Sequence, residues 1–450
     1  MSSDVESSSL VRDNIYRGKG KCKISNIKEM IEAILSKANL TTAYKRVVSN
    51  KGSAGVDKMK VSELQPYLRH NWHTIKTSIE NGSYTPQAIR GIEIPKSNGG
   101  KRLLGIPTVV DRMIQQSINQ VLSEVYEREF SWFSFGFRPG KSALQGVKQA
   151  LLYINSGYQH VIDLDLKTFF DVVNHDFLMN LLQRKIDDPI LMKLIRKFLK
   201  AGIMQNGVIN VRESGTPQGS PLSPLLSNII LNELDKELTK RGLRFVRYAD
   251  DCSIYVRTAR AAKRVLRSIT KFIENKLKLK VNQEKTKICK PMKLTILGYS
   301  FTSTFTKGEY QLVTSEKSYK KLKEKIKEVT RKTSPKTFDE MIKELNSVTR
   351  GWINYFKLSN MWAKVRALNS WIKARIRYFI WKKWKKPNRR MRAYIQLGRT
   401  PNEAYSWSRS RLGGWRIANS PIMKTTVTNE RLEKRGYQSI LKTFEKLHYV

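Results

Sequence analysis

The sequence predicts an α+β protein in which short antiparallel strands are set among many amphipathic helices, and three observations support this prediction. RFVRYADDCSIYV, at 244–256, has two apolar runs of strand periodicity around an acidic turn, which is typical of a β-hairpin. HVIDLDLKTFFD, at 160–171, begins as an alternating strand and continues as a helix. Beyond about Lys307 the apolar periodicity is helical.

The composition predicts a polyanionic partner. The chain of 450 residues has 84 basic and 38 acidic residues, a formal net charge of +46. Such an excess favours nucleic acid as the partner. We find no signal peptide and no apolar run long enough to span a membrane, so we expect a cytoplasmic protein without a membrane role.

The charge is concentrated toward the C-terminus. Between Leu345 and Asn429 the only acidic residue is Glu403, and most of the 9 tryptophans lie in this stretch. Basic residues interleaved with aromatic residues suit RNA or single-stranded DNA. We nevertheless interpret Trp352 and Trp371 as helix core.

Three aspartates predict a divalent-cation site. Asp250 and Asp251 are adjacent in the hairpin turn. Paired carboxylates repel each other unless a cation lies between them, although Asp-Asp also occurs in ordinary turns. Asp165 ends an apolar strand, where packing does not explain it, and it can face this turn. Mg²⁺ prefers such oxygen ligands, whereas Asp163 is interpreted as salt-bridged or solvated.

Two further segments are candidates for binding a nucleotide. A hairpin at 92–106 places Lys96 and Arg102 on either side of a glycine-containing tip, where they could clasp a triphosphate. TPQGSPLSP, at 216–224, precedes a long helix, and Gly219 with Ser220 would allow a nucleotide to approach closely. Each is weak alone, because exposed basic hairpins and helix N-termini are common.

Apolar periodicity predicts three helices, and the cysteine spacing argues against a zinc site and a disulfide framework. We expect one helix over 27–48, one from Phe169 through Leu178, and one at 431–441. Cys22, Cys252 and Cys289 are too far apart in sequence to indicate a zinc site or a disulfide framework.

Together these motifs resemble bacterial group II intron-encoded proteins, which are reverse transcriptases and maturases. The matching motifs are IPKSNGGKRLLGIPTVVDR, FGFRPG, DLDLKTFFD, TPQGSPLSPLLSN, RYADD, LKVNQEK, LGYSF and RGWINYFKLSN. The resemblance implies a right-hand polymerase with an antiparallel-sheet palm, mixed fingers, a helical thumb and a basic C-terminal region. The implied domains are a disordered tail (1–25), an N-terminal extension (26–90), fingers (91–160), a palm with finger segments (161–306), a thumb that is also the maturase domain (307–387) and a DNA-binding region (388–450).

The resemblance also implies roles for individual residues. Two Mg²⁺ ions would be bound by Asp165, Asp250, Asp251 and the carbonyl of Leu166. Lys285 would protonate pyrophosphate, with Lys287 as the alternative. The residues implied to bind the dNTP are Lys96, Arg102, Leu166, Phe170, Gln218 and Gly219. Phe170 would act as the steric gate against ribonucleotides, and Leu297 with Gly298 would form the primer grip.

The resemblance implies an RNA-directed DNA polymerase that also binds its intron RNA to assist splicing and drives retromobility by target-primed reverse transcription. Its partners would be intron RNA, an RNA template with a DNA primer, target DNA and dNTPs; the oligomeric state stays open. No cysteine follows Cys289, so we expect no Cys/His endonuclease domain, as in class C members. The alternatives are a host-adopted reverse transcriptase, in phage defence or diversity generation, and a splicing-only RNA-binding maturase.

Overall fold

The computed structural model describes residues 27–95, 99–306, 308–331 and 333–448. The predicted tail, 1–25, and Lys96 lie outside these ranges. The described chain consists of helices and three small sheets, which confirms the α+β class. None of its helices combines the length and the apolar character needed to cross a membrane.

The strands form the three sheets as follows. In chain order, the described strands are β1 (Ile89–Pro95), β2 (Lys101–Ile106), β3 (His160–Leu164), β4 (Ile203–Gln205), β5 (Val208–Asn210), β6 (Arg244–Tyr248), β7 (Asp251–Val256), β8 (Lys287–Cys289), β9 (Thr295–Ile296), β10 (Tyr299–Ser303) and β11 (Tyr310–Thr314). The sheet orders are β2-β1-β4-β5, β6-β7-β3-β8 and β11-β10-β9.

The chain divides into two compact units, each made of several segments. The first unit comprises the described residues of Met1–Ser131, Leu166–Glu237 and Thr270–Val281, and the second comprises those of Trp132–Asp165, Leu238–Ile269 and Asn282–Val450. Sheet β2-β1-β4-β5 belongs to the first unit, and the other two sheets belong to the second.

The first unit combines its sheet with eight described helices. They are Ile27–Leu35, Lys37–Ser49, Leu64–Glu80, Val109–Glu127, Phe169–Val172, His175–Gln183, Pro189–Lys200 and most of Ser223–Lys240. The predicted hairpin is confirmed, because β1 and β2 pair antiparallel with Pro95 opposite Lys101. Strands β4 and β5 were not predicted, because three residues are too few to show a periodicity.

A buried carboxylate ties the first unit together. Asp111 is 1% exposed, near the start of helix Val109–Glu127. It accepts hydrogen bonds from Tyr84 Oη (2.8 Å), Thr108 Oγ1 (2.7 Å) and the backbone N–H of Gln87 (3.2 Å). The connection between helix Leu64–Glu80 and β1 is therefore fixed to this helix.

The second unit joins the antiparallel sheet β6-β7-β3-β8 to a helical region. Its helices are Ala143–Asn155, most of Ala259–Asn275, Glu316–Val329, Phe338–Tyr355, Trp362–Lys383, Pro387–Gln396, Pro401–Ser408, Gly414–Asn419, Pro421–Thr426, Asn429–Lys434 and Ile440–His448. One apolar core runs from Val161 in β3 to Phe444 in the last helix, and Trp352 and Trp371 pack against it, as expected.

The C-terminal residues share this core. Buried Arg377 donates through Nε to the carbonyl of Val427 (2.8 Å) and through Nη2 to Asn429 Oδ1 (3.1 Å). Tyr437 Oη donates to Asn369 Oδ1 (3.1 Å). Polar groups buried in this way hold the last segments against helix Trp362–Lys383.

Three expected helices are wrong in their extent, since each is interrupted. Ser36 has extended backbone and caps the helix that follows it by accepting from Asn39 N–H. Asn174 similarly accepts from Phe177 N–H at 2.8 Å and starts a new helix after Val172. Near the C-terminus, Gly436 has a φ of +90° and separates two short helices. Side-chain capping and positive φ overrode the apolar periodicity.

Candidate active site

Hairpin β6–β7 holds two of the predicted catalytic aspartates. Tyr248 pairs with Asp251, so the turn consists of Ala249 and Asp250 alone. Asp251 is thus the first residue of β7 rather than a turn residue, which corrects its expected place. Ala249 has a φ of +57°, as tight two-residue turns of this kind require.

Strand β3 carries the third aspartate to the same sheet. It lies between β7 and β8, with Leu164 opposite Cys252. Asp165 follows the strand directly, and its backbone is fixed on both sides. Its N–H donates to Thr286 Oγ1 (3.1 Å), and its carbonyl accepts from Asn282 N–H (2.9 Å).

An open cavity of about 420 Å³ lies over this sheet within the second unit. Its lining residues include Asp163, Asp165 and Asp251, together with Lys285 and Lys287. The expected meeting of Asp165 with Asp251 is therefore seen. We call this space, with these five residues, the carboxylate cavity.

The carboxylates of the cavity concentrate negative charge. The pKa of Asp251 is raised to about 6, and burial by the surrounding protein is the largest cause, although part of the residue stays exposed to solvent. The charges of Asp250, Asp163 and Asp165 contribute to this rise, and the charge of Lys285 opposes it. Half-buried Asp250 is not among the lining residues, but this effect on Asp251 shows that it lies close.

Two lysines offset part of this charge. Lys285 Nζ lies 3.7 Å from Asp165 Oδ2, and Lys287 Nζ lies 3.7 Å from Asp163 Oδ2. Asp163 and Lys287 are direct cross-strand partners in β3 and β8. Burial raises the pKa of Asp163, with Lys287 lowering it and Asp165 raising it. The interpretation of Asp163 as salt-bridged is confirmed.

The donor chemistry of the cavity fits a hard divalent cation. Its carboxylates are oxygen ligands of the kind that Mg²⁺ prefers, and their repulsion would fall once a cation bound. Within the part of the chain that the structure describes, however, no three carboxylate, His or Cys side chains lie close enough together to hold a metal ion as they stand. Binding of two Mg²⁺ ions by Asp165, Asp250 and Asp251 therefore stays a prediction.

The predicted primer grip lies beside the cavity. Leu297 is one of its lining residues, and Leu297 and Gly298 have φ angles of +51° and +84°. Tyr355 Oη donates to the Leu297 carbonyl (2.9 Å), and Ser315 N–H donates to the Gly298 carbonyl (3.0 Å). The positive φ of Gly298 favours glycine, and a Cβ there would also lie 2.8 Å from Ser318 Oγ and 3.2 Å from the ring of Phe356.

Three predicted nucleotide-binding residues meet in the first unit. Exposed Arg102, on β2, donates through Nε to Gln218 Oε1. Gly219 has a φ of +112°, and a Cβ there would lie 2.7 Å from the carbonyl oxygen of Gly105. The turn at 217–219 is therefore held close against β2.

The remaining predicted site residues belong to the first unit or lie outside the described ranges. Leu166 is buried and forms an isolated bridge with Val281. Phe170 is half-buried, with its ring centroid 5.2 Å from that of Phe169. Lys96 is outside the described residues. The functional roles of all these residues stay predictions.

Sequence reasoning missed part of the cavity. Lys287 was named only as an alternative to Lys285, and Glu284 and Ser253 were not named, although all three line it. For Lys287 the signal was the alternation of LKVNQEKTKI, since β8 pairs with β3. Glu284 lies in the turn before β8 and belongs to the LKVNQEK motif, but the motif alone does not indicate that its side chain lines the cavity.

Comparison with known families defines the class of protein. Residues 94–301 match the model described as reverse transcriptase (RNA-dependent DNA polymerase), and residues 319–396 match the group II intron, maturase-specific domain. All residues lining the carboxylate cavity fall within the first match. The molecule is therefore a reverse transcriptase that carries a maturase-specific domain, and the two domains imply a nucleic-acid template and RNA as partners.

Individual relatives identify the family within this class of protein. The chain is 32% identical over 302 residues to protein YkfC of Escherichia coli (strain K12). The matched region covers 58% of this chain and 79% of YkfC. It is 36% identical over 250 residues to the group II intron-encoded protein LtrA of Lactococcus lactis subsp. cremoris. This matched region covers 55% of this chain but only 40% of LtrA. A putative COX1/OXI3 intron 2 protein of Saccharomyces cerevisiae is 33% identical over 206 residues, covering 45% of this chain and 24% of that protein. The chain belongs to the group II intron reverse transcriptase/maturase family.

Proposed function

We propose that this chain is the RNA-directed DNA polymerase of a group II intron, that it binds the intron RNA to assist splicing, and that it drives retromobility by target-primed reverse transcription. The carboxylate cavity carries this proposal, because it concentrates acids inside a chain whose formal net charge is +46. A cluster of carboxylates in a polyanion-binding protein would oppose binding of the polyanion unless bound cations neutralised their charge. The maturase-specific match, directly downstream, supports the splicing role.

In this proposal the parts of a right-hand polymerase follow the expected boundaries. Sheet β6-β7-β3-β8 would be the palm, hairpin β1–β2 would belong to the fingers, and the helices from Glu316 to Lys383 would form the thumb. Residues 388–450 would contact target DNA. The scarcity of acids between 345 and 429 supports a nucleic-acid surface there.

The catalytic roles follow from the chemistry of the side chains. Asp165, Asp250, Asp251 and the Leu166 carbonyl would hold two Mg²⁺ ions, which when bound supply activation of the primer 3′-hydroxyl and neutralise the leaving pyrophosphate. Lys285 would donate a proton to that pyrophosphate, and its position 3.7 Å from Asp165 supports it over Lys287, which pairs with Asp163.

The other residues would position the substrates, since phosphoryl transfer depends mainly on positioning and charge. Lys96 and Arg102 would clasp the triphosphate, and Gln218 with Gly219 would line the new base pair. Phe170 would exclude ribonucleotides by contact at C2′. Leu297 and Gly298 would hold the primer.

Primer extension on poly(rA)/oligo(dT) with Mg²⁺ tests the proposal. We expect DNA synthesis by the wild type and none by Asp250→Ala, with nearly unchanged affinity for RNA. Asp187→Ala, which removes an exposed carboxylate from the first unit, is the matched control and should retain full activity. A fully active Asp250→Ala variant would contradict the site. A wild type that binds RNA and promotes splicing, but makes no DNA, would leave the splicing-only maturase.

A further inference from the structure

Phe137, in the FGFRPG motif, is an exposed phenylalanine in an unfavourable backbone conformation. Its φ is +56°, and the residue is 56% exposed. A bulky side chain at positive φ is strained, and an exposed ring recovers little free energy from burial. Folding alone therefore gives no reason for a phenylalanine at this position.

The loop that carries Phe137 is held against hairpin β6–β7. Ser134 forms a parallel bridge with Arg247, and Phe135 N–H donates to the Arg247 carbonyl at 2.8 Å. Gly136 lies so close to the turn that a Cβ there would clash with the backbone nitrogen of Ala249. The ring of Phe137 is thus displayed from a loop that backbone contacts fix beside the turn.

The ring of Phe137 contacts a residue that lines the carboxylate cavity. Its centroid lies 6.2 Å from that of Tyr248, with the two planes tilted by 44°. Tyr248 itself lines the cavity together with Asp165 and Asp251. The exposed ring of Phe137 therefore lies next to a residue of the cavity wall, within the second unit.

We propose that Phe137 is a positioning residue for the template–primer: its ring, with Tyr248, contacts the base and sugar of the terminal base pair and fixes the primer end against the carboxylate cavity. This inference rests on the polymerase function proposed above. Aromatic faces bind nucleotides without sequence preference, because every base has a flat face to stack on. Such contact with a nucleotide would offset both the strain and the exposure of the ring.

Three substitutions at position 137 distinguish the contribution of the aromatic ring from the effect of the strained backbone conformation. Phe137→Gly removes the ring and also relieves the strain, Phe137→Leu keeps an apolar side chain without a flat face, and Phe137→Tyr keeps the ring. Asn206→Gly is the matched control, because Asn206 is an exposed, uncharged turn residue with a φ of +50°. Steady-state primer extension on poly(rA)/oligo(dT) and the melting temperature are measured for each variant.

We expect Phe137→Gly to melt no lower than the wild type and to raise the KM for the template–primer about tenfold, the value of one base–aromatic stack. Its kcat should change less. Phe137→Leu should resemble it, whereas Phe137→Tyr should restore the wild-type KM and Asn206→Gly should change neither quantity. An unchanged KM in Phe137→Gly overturns the inference. A melting temperature that falls together with activity also overturns it, because the ring would then serve packing.

The outcome is distinguishable from failure of the proposed polymerase function. If the wild type makes no DNA, the same variants are compared by fluorescence anisotropy for binding to labelled poly(rA)/oligo(dT). Binding about tenfold weaker in Phe137→Gly, restored in Phe137→Tyr, would still support the contact. Equal dissociation constants would overturn it.

Discussion

Asp251 in the second unit and Asp111 in the first are two carboxyl groups with a pKa of about 6, and in both burial is the largest cause. Their surroundings differ. After burial, the main causes at Asp111 are hydrogen bonds from Thr108, Tyr84 and Gln87, which lower its pKa, and the charge of Asp57, which raises it, is the last of the causes. Around Asp251 the next causes are further carboxylates, those of Asp250, Asp163 and Asp165, which raise its pKa.

The comparison shows that the neighbours of a perturbed carboxyl, rather than its pKa, distinguish structure from function. A single buried carboxylate whose oxygens are satisfied by donors links segments of chain, as Asp111 does. Carboxylates that repel one another in an open cavity contribute nothing comparable to folding. They are instead suited to a cation, and substitutions should separate these two roles.

The largest expected effect is on DNA synthesis in Asp251→Asn. This substitution keeps the shape of the side chain and removes one of the repelling charges, so the melting temperature should be no lower than that of the wild type. Synthesis should fall about a thousandfold, since the proposed function makes Asp251 a ligand of the catalytic cations, and such a ligand accounts for several kcal/mol of transition-state stabilisation. Single-turnover primer extension and differential scanning fluorimetry measure the two quantities. Activity near the wild-type level would remove Asp251 from the site.

Asp111→Ala should give the opposite result, a loss of stability. It leaves the buried donors of Tyr84, Thr108 and Gln87 without an acceptor, which costs about 3 kcal/mol. Urea unfolding, followed by hydrogen exchange in peptides from Val109–Glu127, reports on the first unit. In the absence of urea and well below the melting temperature, Asp111→Ala should still synthesise DNA. Unchanged protection of these peptides would show that the Asp111 hydrogen bonds add nothing to folding.

The sequence predicted what depends on local pattern. The two hairpins, at 92–106 and 244–256, were predicted with their antiparallel pairing, because strand alternation and turn residues specify a hairpin locally. The approach of Asp165 to Asp251 also followed from strand alternation and the family motifs. Breaks at Ser36 and Asn174 were missed, because a capping side chain competes with helix continuation without changing the apolar pattern.

Contacts between segments that are distant in sequence could not be predicted. Arg247 is fully buried although it lies in an edge strand, because residues 133–135 pair alongside β6 and its guanidinium donates to the Ala249 carbonyl (2.9 Å). Nothing in the local sequence specifies that partner. The same pairing brings Phe137 beside Tyr248, so this part of the cavity rim was also not foreseen.

A pH dependence of stability, which is smaller per pH unit than the loss expected in Asp111→Ala, tests the cause of the Asp111 shift. Its pKa rises from 3.8 unfolded to about 6 in the folded protein. The folded state therefore binds this proton more tightly than the unfolded state does, and the stability that protonation contributes is fully present below pH 3.8 and is lost as the pH rises through 6. In that window the wild type should lose up to about 1.4 kcal/mol per pH unit relative to Asp111→Asn, which has no proton to release there. Urea midpoints of the first unit at several pH values, compared between the two proteins, isolate this group from every other titrating side chain. Parallel pH profiles would mean that Asp111 keeps its ordinary pKa despite its burial, and the contrast with Asp251 would then rest on hydrogen bonding alone.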